Sequence, residues 1–180
     1  MPDYHRRSVR LRGYDYSRSG AYFITFCVQG GVCLFGDAIE EQMSLNSLGE
    51  IVQDEWIGSA DIRSEIGLDE FVIMPNHFHA IVLINQAPNA GQGAQPCAPT
   101  RRPRSLSTLV AQFKASTTRR INEMQGIHEA RIWQRNFHDR VIRDYGELMR
   151  IRNYIISNPA NWLKDEYHPN NLAKFYITGM

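Results

Sequence analysis

The order of apolar and polar positions predicts a mixture of strands and helices. Residues 21–28 are rich in aromatic and β-branched side chains and end at Gly30-Gly31, which indicates a buried strand. From residue 37 to about residue 60, apolar side chains recur at roughly helical spacing. We therefore expect a first strand followed by either one long helix or two short helices that are separated by a break near Gly49.

The middle of the chain predicts a hairpin and a long connection. Two apolar runs, residues 68–74 and 77–84, are separated by Pro75-Asn76, a pair with turn chemistry, and should form an antiparallel hairpin. Residues 86–104 consist mainly of Pro, Gly, Ala and Gln and have little apolar surface to bury, so a flexible loop is expected there.

The last third of the chain predicts two helices around a short strand. Ser105 can cap an amphipathic helix that ends near Asn122. A strand at about 137–142 precedes a final helix at about 145–157, which Asn158-Pro159 should close because a residue before proline resists the helical conformation. The tail is expected to be polar and irregular.

Together these elements predict an α+β fold of ferredoxin-like or RRM-like type, in which helices cover one face of an antiparallel sheet. The 180 residues suffice for one substantial core. We expect a single domain at 1–180, with a basic N-terminal arm at about 1–18, the loop at 86–104 and the irregular tail at about 163–180.

The net charge of +1 conceals a strong separation of charge along the chain. Residues 1–18 carry five Arg and two Asp, residues 19–100 carry one basic and ten acidic residues, and residues 101–152 carry twelve basic and five acidic residues. Such a distribution suits binding to a polyanion, although the basic residues could also be solvated helix faces paired with the acidic segment. The candidate nucleic-acid-binding residues are Arg101, Arg102, Arg104, Lys114, Arg119 and Arg120.

The remaining composition excludes several classes of protein. No apolar run is long enough to cross a membrane, and the basic N-terminus lacks the apolar segment of a signal peptide. A soluble, cytoplasmic protein without a membrane partner is expected. Three cysteines without a CxxC pair argue against a disulfide framework or a zinc ribbon.

The first candidate site is the pair His77 and His79. Residues two apart in a strand project from the same face, so both imidazoles can bind one metal ion while Phe78 points into the core. Two hydrogen-bonded surface histidines would give the same pattern. A divalent ion needs further ligands, which must come from another element.

Tyr154 and Asn158 form the second candidate pair. Because they are four residues apart in the final helix, a phenol and an amide project from one helix face. If Asn158 binds the metal, a phosphate held there would lie within reach of Tyr154. The alternative is a core aromatic residue followed by a helix C-cap.

Five segments of the chain together resemble the transposases associated with repetitive extragenic palindromes. These proteins are relatives of the single-tyrosine, His-hydrophobic-His transposases of insertion sequences. The resemblance runs from about residue 14 to residue 162, and the segments that carry it are 22–26 (YFITF), 71–79 (FVIMPNHFH), 105–107 (SLS) with Phe113-Lys114, 132–136 (IWQRN) and 154–159 (YIISNP).

The resemblance implies an HUH-endonuclease type of fold and a role for each candidate residue. His77 and His79 would bind Mg²⁺ or Mn²⁺, Asn158 would be a third ligand where relatives often have glutamine, and Tyr154 would be the nucleophile. The implied activity is the cleavage and rejoining of single-stranded, hairpin-forming DNA through a 5′-phosphotyrosine intermediate. The implied assembly is a monomer or a homodimer.

Two other functions are compatible with the sequence. A domesticated DNA-binding protein would keep the basic residues and lose the cleavage activity. A metal-dependent hydrolase of small phosphoesters would keep the histidines without needing the basic segment.

Overall fold

The computed structural model describes residues 18–85 and 105–171. In these ranges the sheet strands and helices follow the order β-α-β-β-α-β-α, with a small additional hairpin before the first helix. No helix in the two described ranges is long and apolar enough to span a membrane. The strands are β1 (Gly20–Cys27), β2 (Gly36–Ile39), β3 (Gln42–Leu45), β4 (Ile66–Ile73), β5 (His77–Ile84) and β6 (His138–Ile142), and the helices are α1 (Ser47–Ile62), α2 (Leu106–Gln125) and α3 (Tyr145–Ser157), with short 3₁₀ helices at Gln29–Gly31 and Pro159–Lys164.

The main sheet has four strands in the order β4-β5-β1-β6, and each neighbouring pair is antiparallel. Strands β1, β4, β5 and β6, with α1 and α2 between them, form the β-α-β-β-α-β pattern of a ferredoxin-like domain. The predicted α+β class and antiparallel sheet are therefore confirmed. The central position of β5 and β1 means that side chains on β5 are flanked by strands on both sides.

The larger core lies on the sheet face covered by α1 and α2. Phe26 and Phe78 stack with their ring centroids 5.4 Å apart, and Trp56 of α1 and Phe113 of α2 pack against Phe78. All four side chains are buried, which makes this face the main source of apolar burial in the described ranges.

Helix α3 packs on the opposite face of the sheet. Its buried Ile155 contacts Ile81 of β5 and Ile142 of β6 in a smaller apolar cluster, against which Phe23 also packs. The expectation of helices on one face holds for α1 and α2 but is wrong for α3. The odd-numbered residues of β5, including both histidines, thus face α3.

The helix expected from residue 37 is wrong in its first part. Residues 36–45 form the β2–β3 hairpin, and its two-residue turn places Glu40 and Glu41 at φ values of 48° and 64°. Both values lie in the left-handed region that a type I′ turn requires and that Gly or Asn usually occupies, so two glutamates carry no signal for this turn. Helix α1 begins after Asn46, whose side-chain oxygen accepts hydrogen bonds from the N–H groups of Leu48 and Gly49.

The other predicted elements are present. The β4–β5 hairpin turns at residues 74–76, α2 begins after Ser105 and ends at the left-handed Gly126, and α3 has the predicted bounds. The predicted loop at 86–104, the arm before residue 18 and the tail after residue 171 lie outside the described residues.

Candidate functional site

The two histidines of β5 lie side by side beneath α3. Their ring centroids are 4.6 Å apart, and the exposed fractions of His77 and His79 are 0% and 2%. Phe78 between them points into the larger core, as the alternation of a strand requires. The alternative of two surface histidines is therefore wrong, because both imidazoles are buried.

Both imidazoles are anchored through Nδ1. His77 Nδ1 is 2.9 Å from Asn76 Oδ1, and His79 Nδ1 is 2.8 Å from Oγ1 of Thr25, its partner on β1. Burial holds the pKa of His77 well below its ordinary value, with His79 adding to the effect, and burial lowers the pKa of His79 to about 3. Neutral imidazoles are the form that binds metal ions.

Asp165 completes a group of three possible ligands. One ligand atom each from His77, His79 and Asp165 lie within 4.8 Å of one another, and His77 Nε2 is 3.9 Å from Asp165 Oδ2. His77 Nε2 is buried, and no group within residues 18–85 and 105–171 hydrogen-bonds to it. An orphaned nitrogen beside a second imidazole and a carboxylate fits a divalent cation with open positions for other oxygens.

The Tyr154 side chain lies over this group. Its Oη is 3.1 Å from His79 Nε2, and the exposed fraction of the residue is 41%. Burial, and next the negative charge of Asp165, raise the pKa of Tyr154 to about 12. The phenol is accordingly protonated at neutral pH and can donate its hydrogen bond to His79.

Asn158 lies one turn beyond Tyr154, as the helical spacing predicts. It caps α3, and its side-chain oxygen is buried with no hydrogen-bond partner in the described part of the chain. Burial raises the pKa of Tyr154 and of Asp165, and the Asn158 amide, which lines the same cleft, lowers the pKa of each. A cavity of about 330 Å³ opens here, and its lining residues are Tyr154, Ser157, Asn158, Asn161, Lys164, Asp165 and Glu166.

Sequence reasoning missed Asp165 and Tyr167. Both follow the 3₁₀ helix Pro159–Lys164, in the tail that was expected to be irregular, and Asp165 Oδ1 accepts a hydrogen bond from the Tyr167 N–H at 2.7 Å. The Tyr167 ring lies 4.6 Å from that of His77. No spacing rule joins residues 165–167 to β5, because only the tertiary fold brings them together.

The described basic candidates do not gather at this site. Lys114 donates hydrogen bonds to the carbonyls of Gln134 and Asn136 at 2.9 Å, and burial lowers its pKa to about 8. Arg119 and Arg120 lie on α2, across the sheet from Tyr154. Arg101, Arg102 and Arg104 lie outside the described residues.

The positive charges of Arg119 and Arg120 are partly neutralised by acidic neighbours. Arg119 pairs with Glu123 at 3.4 Å on the surface of α2. Arg120 pairs with Glu55 at 2.9 Å and with Asp54 at 3.5 Å, which joins α2 to α1. This geometry resembles the solvated and paired helix faces that were the alternative to DNA binding.

Asp165→Asn tests which residue is the third ligand. The amide keeps the oxygen that accepts from the Tyr167 N–H but removes the charge, so Mn²⁺ affinity measured by electron paramagnetic resonance should fall at least about tenfold. Glu166→Gln, which makes the same charge change in the same cleft, should leave the affinity nearly unchanged. A large loss in Asn158→Ala with none in Asp165→Asn would instead identify Asn158 as the ligand.

The chain is similar to an uncharacterized protein and, in its fold, to solved structures. No family model matches the chain. An uncharacterized protein of Haemophilus influenzae (strain ATCC 51907 / DSM 11121 / KW20 / Rd) is 36% identical over 171 residues, which span 92% of this chain and 94% of the relative.

Among solved structures, a REP-associated tyrosine transposase bound to a REP hairpin superposes with a TM-score of 0.55 at 18% identity, over 84% of this chain and 73% of that one. A second structure, a putative transposase from Deinococcus radiodurans R1, gives a TM-score of 0.41 at 16% identity over 81% of this chain and 94% of that one. The chain therefore belongs to the same family as the Haemophilus influenzae protein, and it has the fold of the REP-associated tyrosine transposase.

Proposed function

We propose that the protein is a transesterase that cleaves and rejoins single-stranded, hairpin-forming DNA, with Tyr154 as the nucleophile. The observation that carries the proposal is the position of Tyr154 Oη, 3.1 Å from His79 Nε2 and at the edge of an open cleft. The chain shares its fold with a transposase whose structure was solved in complex with a hairpin, which supports hairpin-forming DNA as the substrate.

The reaction replaces one phosphoester bond with another. Tyr154 Oη attacks the phosphorus, the bond from phosphorus to the 3′-oxygen breaks, and the 3′-oxygen takes up a proton while the phenol loses one. The products are a 5′-phosphotyrosine and a free 3′-hydroxyl. Because the new ester is similar in free energy to the old one, rejoining is the same reaction in reverse and needs no ATP.

The side chains of the site position the phenol and its proton. In the absence of a cation the Tyr154 hydroxyl donates toward His79 Nε2, and a cation bound at that nitrogen would replace this hydrogen bond, while the Asn158 amide favours the ionised form of the phenol. A divalent cation bound by His77, His79 and either Asp165 or Asn158, for which we propose Mg²⁺ or Mn²⁺, would supply charge neutralisation to the phosphate and offset the effect of Asp165 on the phenol.

The cleft beside Tyr154 suits a single strand. Ser157, Asn161 and Lys164 line it, and these side chains offer donors to phosphate oxygens. The bases around the scissile phosphate must be unpaired for that phosphate to enter the cleft and reach Tyr154. Contacts farther along the strand are proposed for the three arginines that precede α2: Arg101, Arg102 and Arg104.

An end-labelled hairpin with a single-stranded flank tests the proposal. With Mn²⁺ present, a 3′-end label should stay with the protein after denaturation, whereas a 5′-end label should leave on a shortened strand with a 3′-hydroxyl. Hairpin binding without any cleavage would instead support the domesticated DNA-binding protein. Hydrolysis of a small phosphoester without DNA binding at low salt would support the hydrolase.

The DNA-binding surface is tested by the salt dependence of binding. Lys164→Gln should weaken binding to all single strands alike. It should also reduce the magnitude of the slope of log K against log salt by the amount expected for the loss of about one phosphate contact. Arg119→Gln makes the same charge change across the sheet and should leave the slope unchanged. If Arg119→Gln, or neutralisation of Arg119 and Arg120 together, flattens the slope instead, the DNA crosses α2 as the sequence predicts.

A further inference from the structure

Asn76 connects two of the three candidate ligands. It lies in the turn before β5, is 1% exposed, and precedes His77 directly in the chain. Its backbone carbonyl accepts a hydrogen bond from the Val28 N–H at 2.8 Å, which ties the turn to the end of β1. The residue is thus held by its backbone, and its side chain makes three further hydrogen bonds.

Those hydrogen bonds determine which nitrogen of His77 carries the proton. Asn76 Nδ2 donates to the carbonyl of Gly31 at 3.0 Å and to the carbonyl of Tyr167 at 2.7 Å. Since both of these partners are acceptors, the amide NH₂ must face them, and Oδ1 must face His77 Nδ1 at 2.9 Å. An amide oxygen can only accept, so His77 carries its proton on Nδ1.

The unprotonated nitrogen of His77 therefore points at the other ligands. With Nδ1 protonated, Nε2 carries the lone pair, and this is the buried, orphaned atom 3.9 Å from Asp165 Oδ2. The opposite tautomer would direct an N–H at the metal position. It would also place the Nδ1 lone pair of His77 against the lone pairs of Asn76 Oδ1. A hydrogen bond to the remote nitrogen is the usual way in which proteins orient a metal-binding imidazole.

The same side chain also positions Asp165. The peptide whose carbonyl accepts from Asn76 belongs to Tyr167, and the N–H of Tyr167 donates to Asp165 Oδ1 at 2.7 Å. Asn76 thus holds the turn at 165–167 against the start of β5, where Asp165 lies beside His77. One amide therefore fixes the tautomer of one ligand and the location of another.

We propose that Asn76 is a positioning residue for the metal site, which presents His77 Nε2 and Asp165 as ligands. The proposal rests on the proposed function for the presence of a cation. Its first part, the tautomer of His77, can be measured without any metal.

The first experiment measures the tautomer directly. The metal-free wild-type protein is labelled with ¹⁵N in its histidine rings, and long-range ¹H–¹⁵N correlations show which ring nitrogen is protonated. His77→Gln assigns the signals. We expect His77 to be protonated on Nδ1, and protonation on Nε2 or a mixture of the two tautomers would overturn the proposal even if both Asn76 variants misfold.

The second experiment separates positioning from a merely structural role. Asn76→Asp keeps an acceptor for His77 Nδ1 and should keep the tautomer, whereas Asn76→Ala should lose the preference and bind Mn²⁺ about 10- to 100-fold more weakly. The matched control is Asn122→Ala, which removes an amide that donates to the Ala130 carbonyl far from the site. This variant should change neither the tautomer of His77 nor the affinity for Mn²⁺.

The outcomes distinguish this proposal from the proposed function. Wild-type protein that binds Mn²⁺, with unchanged affinity and tautomer in Asn76→Ala, would overturn the role of Asn76 alone. Wild-type protein that binds no Mn²⁺ would overturn the metal site, and with it the role of Asn76 toward a metal.

Discussion

Tyr154→Phe should form no covalent adduct with hairpin DNA. The variant keeps the ring that packs edge-on against Phe23 and beside His79, so the fold and hairpin binding should survive. It loses the hydroxyl that forms the phosphoester, and cleavage should fall by at least about 10³-fold, because loss of a nucleophile removes the covalent route altogether. The measurement is the amount of 3′-labelled DNA that stays with the denatured protein.

Two other tyrosines provide controls for this result. Tyr145 begins the same helix but is 73% exposed, and Tyr145→Phe should retain full activity. Tyr167 lies against His77, and the structure makes it the nearest rival. If Tyr154→Phe still forms an adduct, and this adduct disappears when Tyr167→Phe is added, then Tyr167 is the nucleophile. Peptide mapping of the adduct would then find the nucleotide on Tyr167.

His79→Ala should abolish cleavage and weaken Mn²⁺ binding by at least about 100-fold, since it removes a ligand rather than an orienting group. His77→Ala should behave alike. Excess chelator should give the same loss of cleavage in the wild-type protein. Each measurement pairs a metal titration with the hairpin cleavage assay, and full cleavage in the presence of chelator would contradict the metal site.

Stability must be measured in the same histidine variants. Both imidazoles are buried, and His79 hydrogen-bonds to Thr25 and Tyr154, so truncation to alanine should also lower the free energy of unfolding by about 2–4 kcal/mol. Hairpin binding is the control that separates the two effects. A variant that binds the hairpin normally and fails to cleave it has lost the metal site rather than the fold.

Local patterns predicted the elements whose signals lie within the element itself. The bounds of α3 followed from its periodicity and from Pro159, and the common direction of His77 and His79 followed from the alternation of β5. The β2–β3 hairpin was missed because Glu40 and Glu41 occupy a left-handed turn with neither Gly nor Asn.

The parts of the site that depend on tertiary packing could not be predicted. Asp165 belongs to a polar tail, and only its fold against β5 brings it beside His77. The charge of Lys114 was visible in the sequence, but its hydrogen bonds to two backbone carbonyls were not. The sequence likewise could not show that α2 and α3 lie on opposite faces of the sheet, which separates Arg119 and Arg120 from Tyr154.

Strand β5 carries the candidate site on one face and the main core on the other, and this restricts insertions and deletions in its hairpin. Gain or loss of one residue at Pro75-Asn76 would slip the strand by one position and exchange its faces. Phe78 would then stand in the site, and both imidazoles would stand against Trp56 and Phe113. Chain length in this turn is therefore constrained both by the geometry of the candidate site and by the stability of the core.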